Sequence, residues 1–214
     1  GIFQSQAEID AHSLNGELIQ PEAAPGDIRF VDQNNDGVID SDDARYQGTA
    51  IPKYEYSLSF NSDYKGFDFN LFFQGVGGNK IYNGNDFEML GMDSGRNFRT
   101  ETLNAWTPSN TNTNIPRAVL GDPNQNTRAS TRFLEDGGYF RIKTIQLGYS
   151  INTKALESVQ MSKCRVYLTG QNLFTFTNYN GLDPEVGGNI LSRGIDRDLN
   201  PKYKSVILGV QLQF

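Results

Sequence analysis

The last ten residues, Ser205–Phe214, alternate strictly between two kinds of side chain. The apolar series consists of Val206, Leu208, Val210, Leu212 and Phe214. The positions between them carry small or polar groups, apart from Ile207. A period of two predicts a β-strand with one apolar face. Such a strand fits the wall of an outer-membrane β-barrel, where alternate residues face lipid, or one layer of an ordinary β-sandwich, and this stretch alone leaves both open.

Four further stretches have the same alternating character. The predicted strands are residues 53–62, 67–76, 139–150, 164–176 and 204–214. The first two form a hairpin around the turn Asp63–Gly66, because two alternating runs separated by a short Gly-containing segment favour that motif. The whole set predicts an all-β fold in which the strands belong to one antiparallel sheet. Its apolar face includes Tyr56, Leu58, Phe69, Leu71, Val210 and Leu212.

The third strand changes phase along its length. Phe140 and Ile142 fall on one face, whereas the apolar residues from Ile145 onward fall on the other. An extra residue in one strand shifts the alternation by one position. The sequence therefore predicts a β-bulge near Lys143 and Thr144.

Composition excludes several classes of function. The net charge is −6 and no basic patch occurs, so nucleic acid is not an expected partner. No apolar run approaches the roughly 18 residues of a membrane helix, while a mean hydropathy of −0.52 is compatible with a barrel because only alternate residues face lipid. No nucleophile–base pair, histidine cluster or phosphate-binding loop is present, so the chain is not expected to be an enzyme. We expect it to be a piece of a longer protein with its export signal upstream.

The connections between the predicted strands alternate between long and short. Short turns at one edge and long loops at the other are typical of an outer-membrane barrel. If Phe214 ends on the periplasmic side, the long connections and residues 1–52 lie outside the cell. The short connections, Asp63–Gly66 and residues 151–161, then lie inside.

The longest connection, residues 75–137, has two aromatic side chains of interest. Trp106 and Tyr82 can stack on a sugar ring or can pin the loop to itself, and the sequence leaves both roles open. Residues 98–106 are expected to form one short helix.

An acidic loop at Asp32–Asp43 has the spacing of a calcium-binding loop. The predicted ligands are the side chains of Asp32, Asn34, Asp36, Asp40 and Asp43 and the carbonyl of Val38. Gly37 follows the third ligand, where a sharp turn is needed. Asp43 replaces the longer Glu of an EF-hand, and no amphipathic helices flank the loop. The sequence predicts a structural Ca²⁺ site, and the alternative is an acidic turn held by Asx hydrogen bonds.

Five blocks of the sequence, taken together and in order, resemble the C-terminal part of SusC/RagA-type TonB-dependent transporters of Bacteroidota. The blocks are GDIRFVDQNNDGVIDSDD, KYEYSLSFNSDYKGFDFNLFFQGVGGNKIYN, AWTPSNTNTNIPRA, FLEDGGYFRIKTIQLGYS and RVYLTGQNLFTFTNYNGLDPEV. The resemblance implies a 22-stranded outer-membrane β-barrel with an N-terminal plug and long extracellular loops. It also implies a SusD-type surface lipoprotein as partner and import of oligosaccharides or peptides driven by the TonB complex.

On this interpretation, residues 1–52 are an extracellular loop segment that contains the calcium-type loop 32–43. Residues 53–214 supply the C-terminal five strands and their loops, embedded in the lipid of the outer membrane. Five strands cannot close a barrel, so the remainder of the same barrel and the missing N-terminal part, which contacts TonB, are required partners. The alternative is a soluble secreted calcium-dependent carbohydrate-binding β-sandwich module.

Overall fold

The structure, a computed structural model, describes residues 1–93, 95, 97–151, 160–188, 191–197 and 199–214. The chain divides into two compact units. The first contains Gly1–Gln47 and Asn83–Phe133, and the second contains Gly48–Tyr82 and Leu134–Phe214. Residues 83–133 therefore cluster with the N-terminal segment, although they lie within the predicted barrel segment.

The first unit has little regular structure and its own small core. Its elements are α1 (Gln6–Ala11), β1 (Ser13–Leu14), β2 (Glu17–Leu18), α2 (Gly84–Met89) and 3-10 turns at Ser41–Asp43, Thr100–Asn104 and Thr131–Phe133. Its buried apolar side chains include Phe3, Ile9, Ile28, Trp106, Ile115 and Phe133. The helix expected at residues 98–106 is the short 3-10 turn at Thr100–Asn104.

The second unit contains a five-stranded antiparallel sheet. The long strands are β3 (Tyr54–Tyr64), β4 (Phe67–Gly77), β7 (Tyr139–Ser150), β8 (Lys163–Thr177) and β10 (Ser205–Gln213). Three short strands, β5 (Lys80–Asn83), β6 (Leu134–Asp136) and β9 (Ile195–Asp196), form a separate sheet. The long strands lie in the order β10-β8-β7-β4-β3, so each one pairs with its neighbour in sequence. The predicted sheet is confirmed, whereas most of the predicted connector at 151–161 lies outside the described residues.

The turn between β3 and β4 is tighter than the sequence pattern predicted. Both strands continue until Tyr64 faces Phe67, which leaves Lys65 and Gly66 as the turn. Their φ angles are 48° and 87°. Positive φ at both central residues matches the right-handed twist of the strands.

The predicted bulge is confirmed at Lys143. Phe73 of β4 pairs with Ile142, and the preceding residue, Phe72, pairs with Thr144. Lys143 is therefore the extra residue on β7. Because the bulge shifts the alternation by one position, the apolar residues on both sides of it lie on the same face.

The apolar face runs across all five strands and is exposed. Leu58, Leu168 and Val210 are 63%, 50% and 58% accessible. Single exposed apolar residues are ordinary, but a continuous exposed apolar face marks an interaction surface. A β-sandwich would bury these side chains against a second sheet, and the described residues do not cover them. None of the helices in the described residues has the length and apolar character needed to span a membrane.

Several glycines of the sheet lie beneath tyrosine rings on the neighbouring strand. Gly75 is paired with Tyr56, and Gly209 is paired with Tyr167. A Cβ placed at Gly75 would overlap the Tyr56 ring and would lie 2.7 Å from the carbonyl oxygen of Tyr139. An aromatic ring over a glycine fills the space that the missing side chain leaves.

Gly75→Ala should therefore destabilise the sheet, because the Tyr139 carbonyl belongs to the backbone and cannot move aside cheaply. We expect a loss of about 1–3 kcal/mol in the free energy of unfolding, the usual range for overpacking. The midpoint of urea unfolding measures it. Gly187→Ala is the control, since nothing lies within 4 Å of a Cβ at that position. Equal midpoints for the two variants would contradict the prediction.

Candidate functional site

The face opposite the apolar one carries charged and amide side chains that pair across strands. Arg165 Nε donates to Asp68 Oδ1 at 2.8 Å, and Arg165 Nη2 donates to Gln146 Oε1 at 2.9 Å. Gly148 makes room for this contact, because a Cβ there would lie 2.6 Å from Arg165 Nη2. One arginine thus links β8, β7 and β4 on the polar face.

A second group of charges, which we call the Arg141 cluster, consists of Arg141, Lys143, Asp183 and Glu185. The Arg141 side chain is 3% exposed, and its Nη2 lies 2.5 Å from Asp183 Oδ1. Its Nη1 lies 2.8 Å from Glu185 Oε2, which Lys143 Nζ also contacts at 2.6 Å. The remaining donor, Nε, bonds to Thr175 Oγ1 at 2.8 Å. The cluster joins the loop after β8 to strand β7 by ion pairs.

The bulge explains why β7 carries this cluster. Arg141 precedes the bulge and Lys143 is its extra residue, and both side chains contact Glu185 on the polar side of the sheet. Ile145 then returns to the apolar face. A regular strand would place Ile145 beside the two cations.

Asp183 is held in its charged form. Burial raises the pKa of its carboxyl group. Hydrogen bonds from Arg141 and from the backbone N–H groups of Glu185 and Lys202 lower that pKa by more than burial raises it, so the pKa lies below its ordinary value. The carboxylate accepts at both oxygens, from Glu185 N–H on Oδ1 and Lys202 N–H on Oδ2. With the bond from Arg141, the carboxylate accepts three hydrogen bonds, which join β7 to both ends of the loop.

The acidic loop begins with a turn that is closed by hydrogen bonds between side chains and backbone N–H groups. Asp32 accepts the N–H groups of Asn35 and Gly37, at 2.6 and 2.9 Å. Gly37 has a φ of 91°, a conformation that favours glycine. Asn34 and Asp36 follow within the same turn and bond to each other, with Asn34 Nδ2 2.8 Å from Asp36 Oδ2. The Val38 N–H donates to Asp36 Oδ1 at 2.9 Å.

The end of the acidic loop folds back onto its beginning. Asp43 Oδ1 accepts the N–H of Gln33 at 2.6 Å, and Oδ2 accepts the N–H of Asp40 at 2.9 Å. These two backbone donors lower the pKa of Asp43. Among the described residues, no three His, Cys, Asp or Glu side chains form a group that could hold a metal ion. The loop has the hydrogen bonds of an acidic Asx turn, and calcium binding stays a prediction.

The Trp106 side chain is buried against residues of the N-terminal segment. The ring is 8% exposed, and its Nε1 donates to Gln4 Oε1 at 2.9 Å. The ring also lies against Gly26, where a Cβ would come within 2.9 Å of Trp106 Cδ2. The sequence left open whether Trp106 stacks on a sugar or pins the loop to itself. These side-chain contacts instead attach the loop to the N-terminal segment of the same compact unit.

Sequence reasoning missed the polar clamp at the centre of the first unit. Asp27 is fully buried, and it accepts Nε and Nη2 of Arg117 at 2.8 and 3.0 Å. Asn126 Nδ2 adds a third bond, at 2.9 Å to Asp27 Oδ1. The partners are 90 and 99 residues away in the chain, so no local spacing marks them. The Arg141 cluster was missed for the same reason.

Relatives of known name match most of the chain. The TonB-dependent receptor P3 of Formosa agariphila is 34% identical over 200 residues, which is 89% of this chain and 19% of the relative. The TonB-dependent receptor SusC of Bacteroides thetaiotaomicron is 32% identical over 194 residues, 89% of this chain and 18% of the relative. The chain thus spans about a fifth of the length of these relatives. No protein-family model matches it.

Solved structures agree with the sequence relatives. The RagAB peptide transporter superposes with a TM-score of 0.68 at 28% identity, over 79% of this chain and 18% of that one. The RagAB peptide importer in its closed-closed state also gives 0.68, at 27% identity over 85% of this chain and 20% of that one. The fold is that of part of a TonB-dependent transporter, built from antiparallel strands with one apolar and one polar face.

The sequence resemblance is confirmed: over most of its own length, the chain matches a segment of SusC/RagA-type TonB-dependent receptors. The relatives are receptors and transporters by name, in agreement with the prediction that the chain is not an enzyme.

Arg141→Gln should release the loop after β8. Removing one partner of a buried ion pair leaves carboxylates uncompensated, and we expect a loss of about 3 kcal/mol in unfolding free energy. Because the pKa of Asp183 is lowered in the folded state, this contribution is present above about pH 4 and is lost as the pH falls through the lowered value. Unfolding midpoints and protease cleavage within residues 178–204, measured at several pH values, check both effects.

Arg165→Gln is the matched control for this test. Its ion pair with Asp68 lies on the same face, but the two side chains are 16% and 26% exposed. We expect a loss of about 1 kcal/mol or less from this more hydrated pair. If both variants lose the same stability and leave the loop equally resistant to protease, the Arg141 cluster is not the anchor.

Proposed function

We propose that this segment forms part of the wall of an outer-membrane β-barrel that imports oligosaccharides or peptides. One observation carries the proposal, namely the exposed apolar face that continues across five hydrogen-bonded strands. In lipid such a face needs no protein partner, and the opposite face, with its paired charges, suits a water-filled interior. The named receptors and transporters support the same role for the intact protein.

Both edges of the sheet require the remainder of the barrel. β10 and β3 each have one side without a neighbouring strand among the described residues. Unpaired backbone groups cannot persist in the hydrocarbon core, so further strands must complete the ladder. We propose that these belong to the rest of the same barrel, which resemblance puts at 22 strands.

The long loops would form the outer mouth. Residues 78–137 and 177–203 are polar, and in our topology they lie outside the cell together with residues 1–52. There they would meet cargo and a SusD-type lipoprotein, while the plug and the contact with TonB belong to another part of the protein. Support comes from loop length, from the parity of the connections and from the family.

Replacing one lipid-facing residue with a charge tests the proposal directly. Leu58→Arg should reduce assembly of the full protein in the outer membrane, because an arginine on the lipid face costs about 2–4 kcal/mol near the bilayer centre. Ser59→Arg is the control, since it puts the same charge on the adjacent residue of the polar face. Heat-modifiable mobility on gels measures assembled barrel. The proposal fails if the two variants assemble equally well, because Leu58 would then face water.

We further propose that the acidic loop binds Ca²⁺ as a structural clasp. The loop is closed, since its last predicted ligand, Asp43, returns to the backbone beside Asp32. Its exposed carboxylates repel one another without a cation. Oxygen donors at these positions suit calcium, and the ion would supply only charge neutralisation and a fixed turn. The six predicted oxygen ligands, from Asp32 to Asp43, would hold it only after the carboxylates turn away from the backbone N–H groups that they now accept.

Asp36→Ala should weaken calcium binding and expose residues 27–50 to protease, while the strands remain assembled. Outside the cell a dissociation constant of about 10⁻⁴–10⁻³ M suffices. Isothermal titration with CaCl₂ and a protease digest, with and without chelator, measure the two effects. Asp42→Asn is the control, because it removes a carboxylate of the same loop that is not a predicted ligand. If the wild-type loop binds no calcium at 5–10 millimolar, roughly five to ten times the upper end of that range, the loop is an acidic turn and not a calcium site.

A further inference from the structure

A cleft opens between the polar face of the sheet and the loop that follows β8. Its volume is about 220 Å³. The residues that define its chemistry are Arg141, Asn172, Thr175, Asp183, Lys202 and Lys204. All of them belong to the second compact unit.

The floor of the cleft is rigid and electrically balanced. The Arg141 side chain donates from Nη2, Nη1 and Nε to Asp183, Glu185 and Thr175, in that order. Lys143 is balanced in the same way, because its ammonium group shares Glu185 with Arg141. Two cations thus face two carboxylates, and the Arg141 cluster has no charge left to offer a ligand.

Two further cations line the cleft without a carboxylate. Among the residues that the structure describes, no acidic side chain pairs with the ammonium group of Lys202 or Lys204, whereas Asp183 is already occupied by Arg141 and by backbone N–H groups. The chain as a whole carries a net charge of −6, so two unbalanced positive charges in one cleft run against its composition. Because Arg141 and Asp183 offset each other, the two lysines give the cleft a net positive charge, which concentrates ligands of the opposite sign.

Two backbone groups beside the cleft already form hydrogen bonds within the protein. The Lys202 N–H donates to Asp183 Oδ2 at 2.8 Å, and the Tyr203 carbonyl accepts from Asn172 Nδ2 at 3.3 Å. A peptide strand is recognised chiefly by free backbone donors and acceptors. The groups that remain for a ligand are the exposed side chains of Lys202 and Lys204 and the Thr175 hydroxyl, which keeps its proton to donate after accepting from Arg141 Nε. These groups match the carboxylate and ring hydroxyls of an acidic sugar.

We propose that this cleft binds a carboxylate-bearing unit of an acidic oligosaccharide, with Lys202 and Lys204 contacting the carboxylate. The inference rests on the proposed function and narrows the class of cargo from oligosaccharides or peptides to acidic oligosaccharides. The Arg141 cluster positions the loop that carries the lysines and does not touch the sugar.

The test uses the full outer-membrane protein in detergent, with a hexamer of glucuronic acid as the probe. We expect the glucuronic acid hexamer to bind more tightly than an uncharged glucose hexamer, and its affinity to fall as the salt concentration rises. Lys202→Gln with Lys204→Gln should weaken binding about tenfold, the size expected for two solvent-exposed ion pairs. Lys53→Gln with Lys65→Gln is the control, because it removes the same charge next to β3, at the opposite edge of the sheet.

Three results would overturn the proposal. These are equal affinity for the charged and uncharged hexamers, no loss in the Lys202/Lys204 variant, and tighter binding of hexaglutamate through the same lysines, which would assign the cleft to acidic peptides. Heat-modifiable mobility of each variant shows whether the barrel is assembled. A failed cleft in an assembled barrel is thus distinguished from a failed barrel.

Discussion

The backbone hydrogen-bond ladder of the five long strands is the constraint on which the rest of the structure depends. It fixes the register, and the register decides which side chains share a face. A slip by one residue would turn every apolar side chain of a strand to the polar face. Ile142 and Ile145 are three residues apart and would fall on opposite faces of a regular strand. The extra residue, Lys143, keeps both on the apolar face of β7.

Charges on the polar face follow from that register. Arg141 and Arg165 point away from the apolar face, and each finds its carboxylate on a different element. For Arg141 the partners lie on the loop after β8, so an ion cluster fixes that loop and also fixes the cleft beneath it. The proposed cargo site thus depends on a strand bulge that lies 59 residues before Lys202 in the chain.

The first unit is organised by a different principle. It has little secondary structure, so few of its backbone groups are satisfied by ladders. Buried side chains bond to some of them instead: Asn126 Oδ1 accepts the Ile28 N–H, and Gln20 Nε2 donates to the Ile28 carbonyl. Asp27, Arg117 and Asn126 bond to one another beside them. Trp106 closes the same unit through Gln4 and Gly26. A loop region held by such contacts has a defined conformation that local sequence patterns do not reveal.

The sequence by itself determined the strands, their single antiparallel sheet, its apolar face and the bulge, because each depends on residues one to four positions apart. It also determined the family, through the order of its blocks. Only the tertiary structure decided the role of Trp106, the clamp on Asp27 and the partners of Arg141. Those contacts join residues 34 to 102 positions apart. They depend on how the loops close, and loop closure is set by the sum of many weak contacts rather than by any local period.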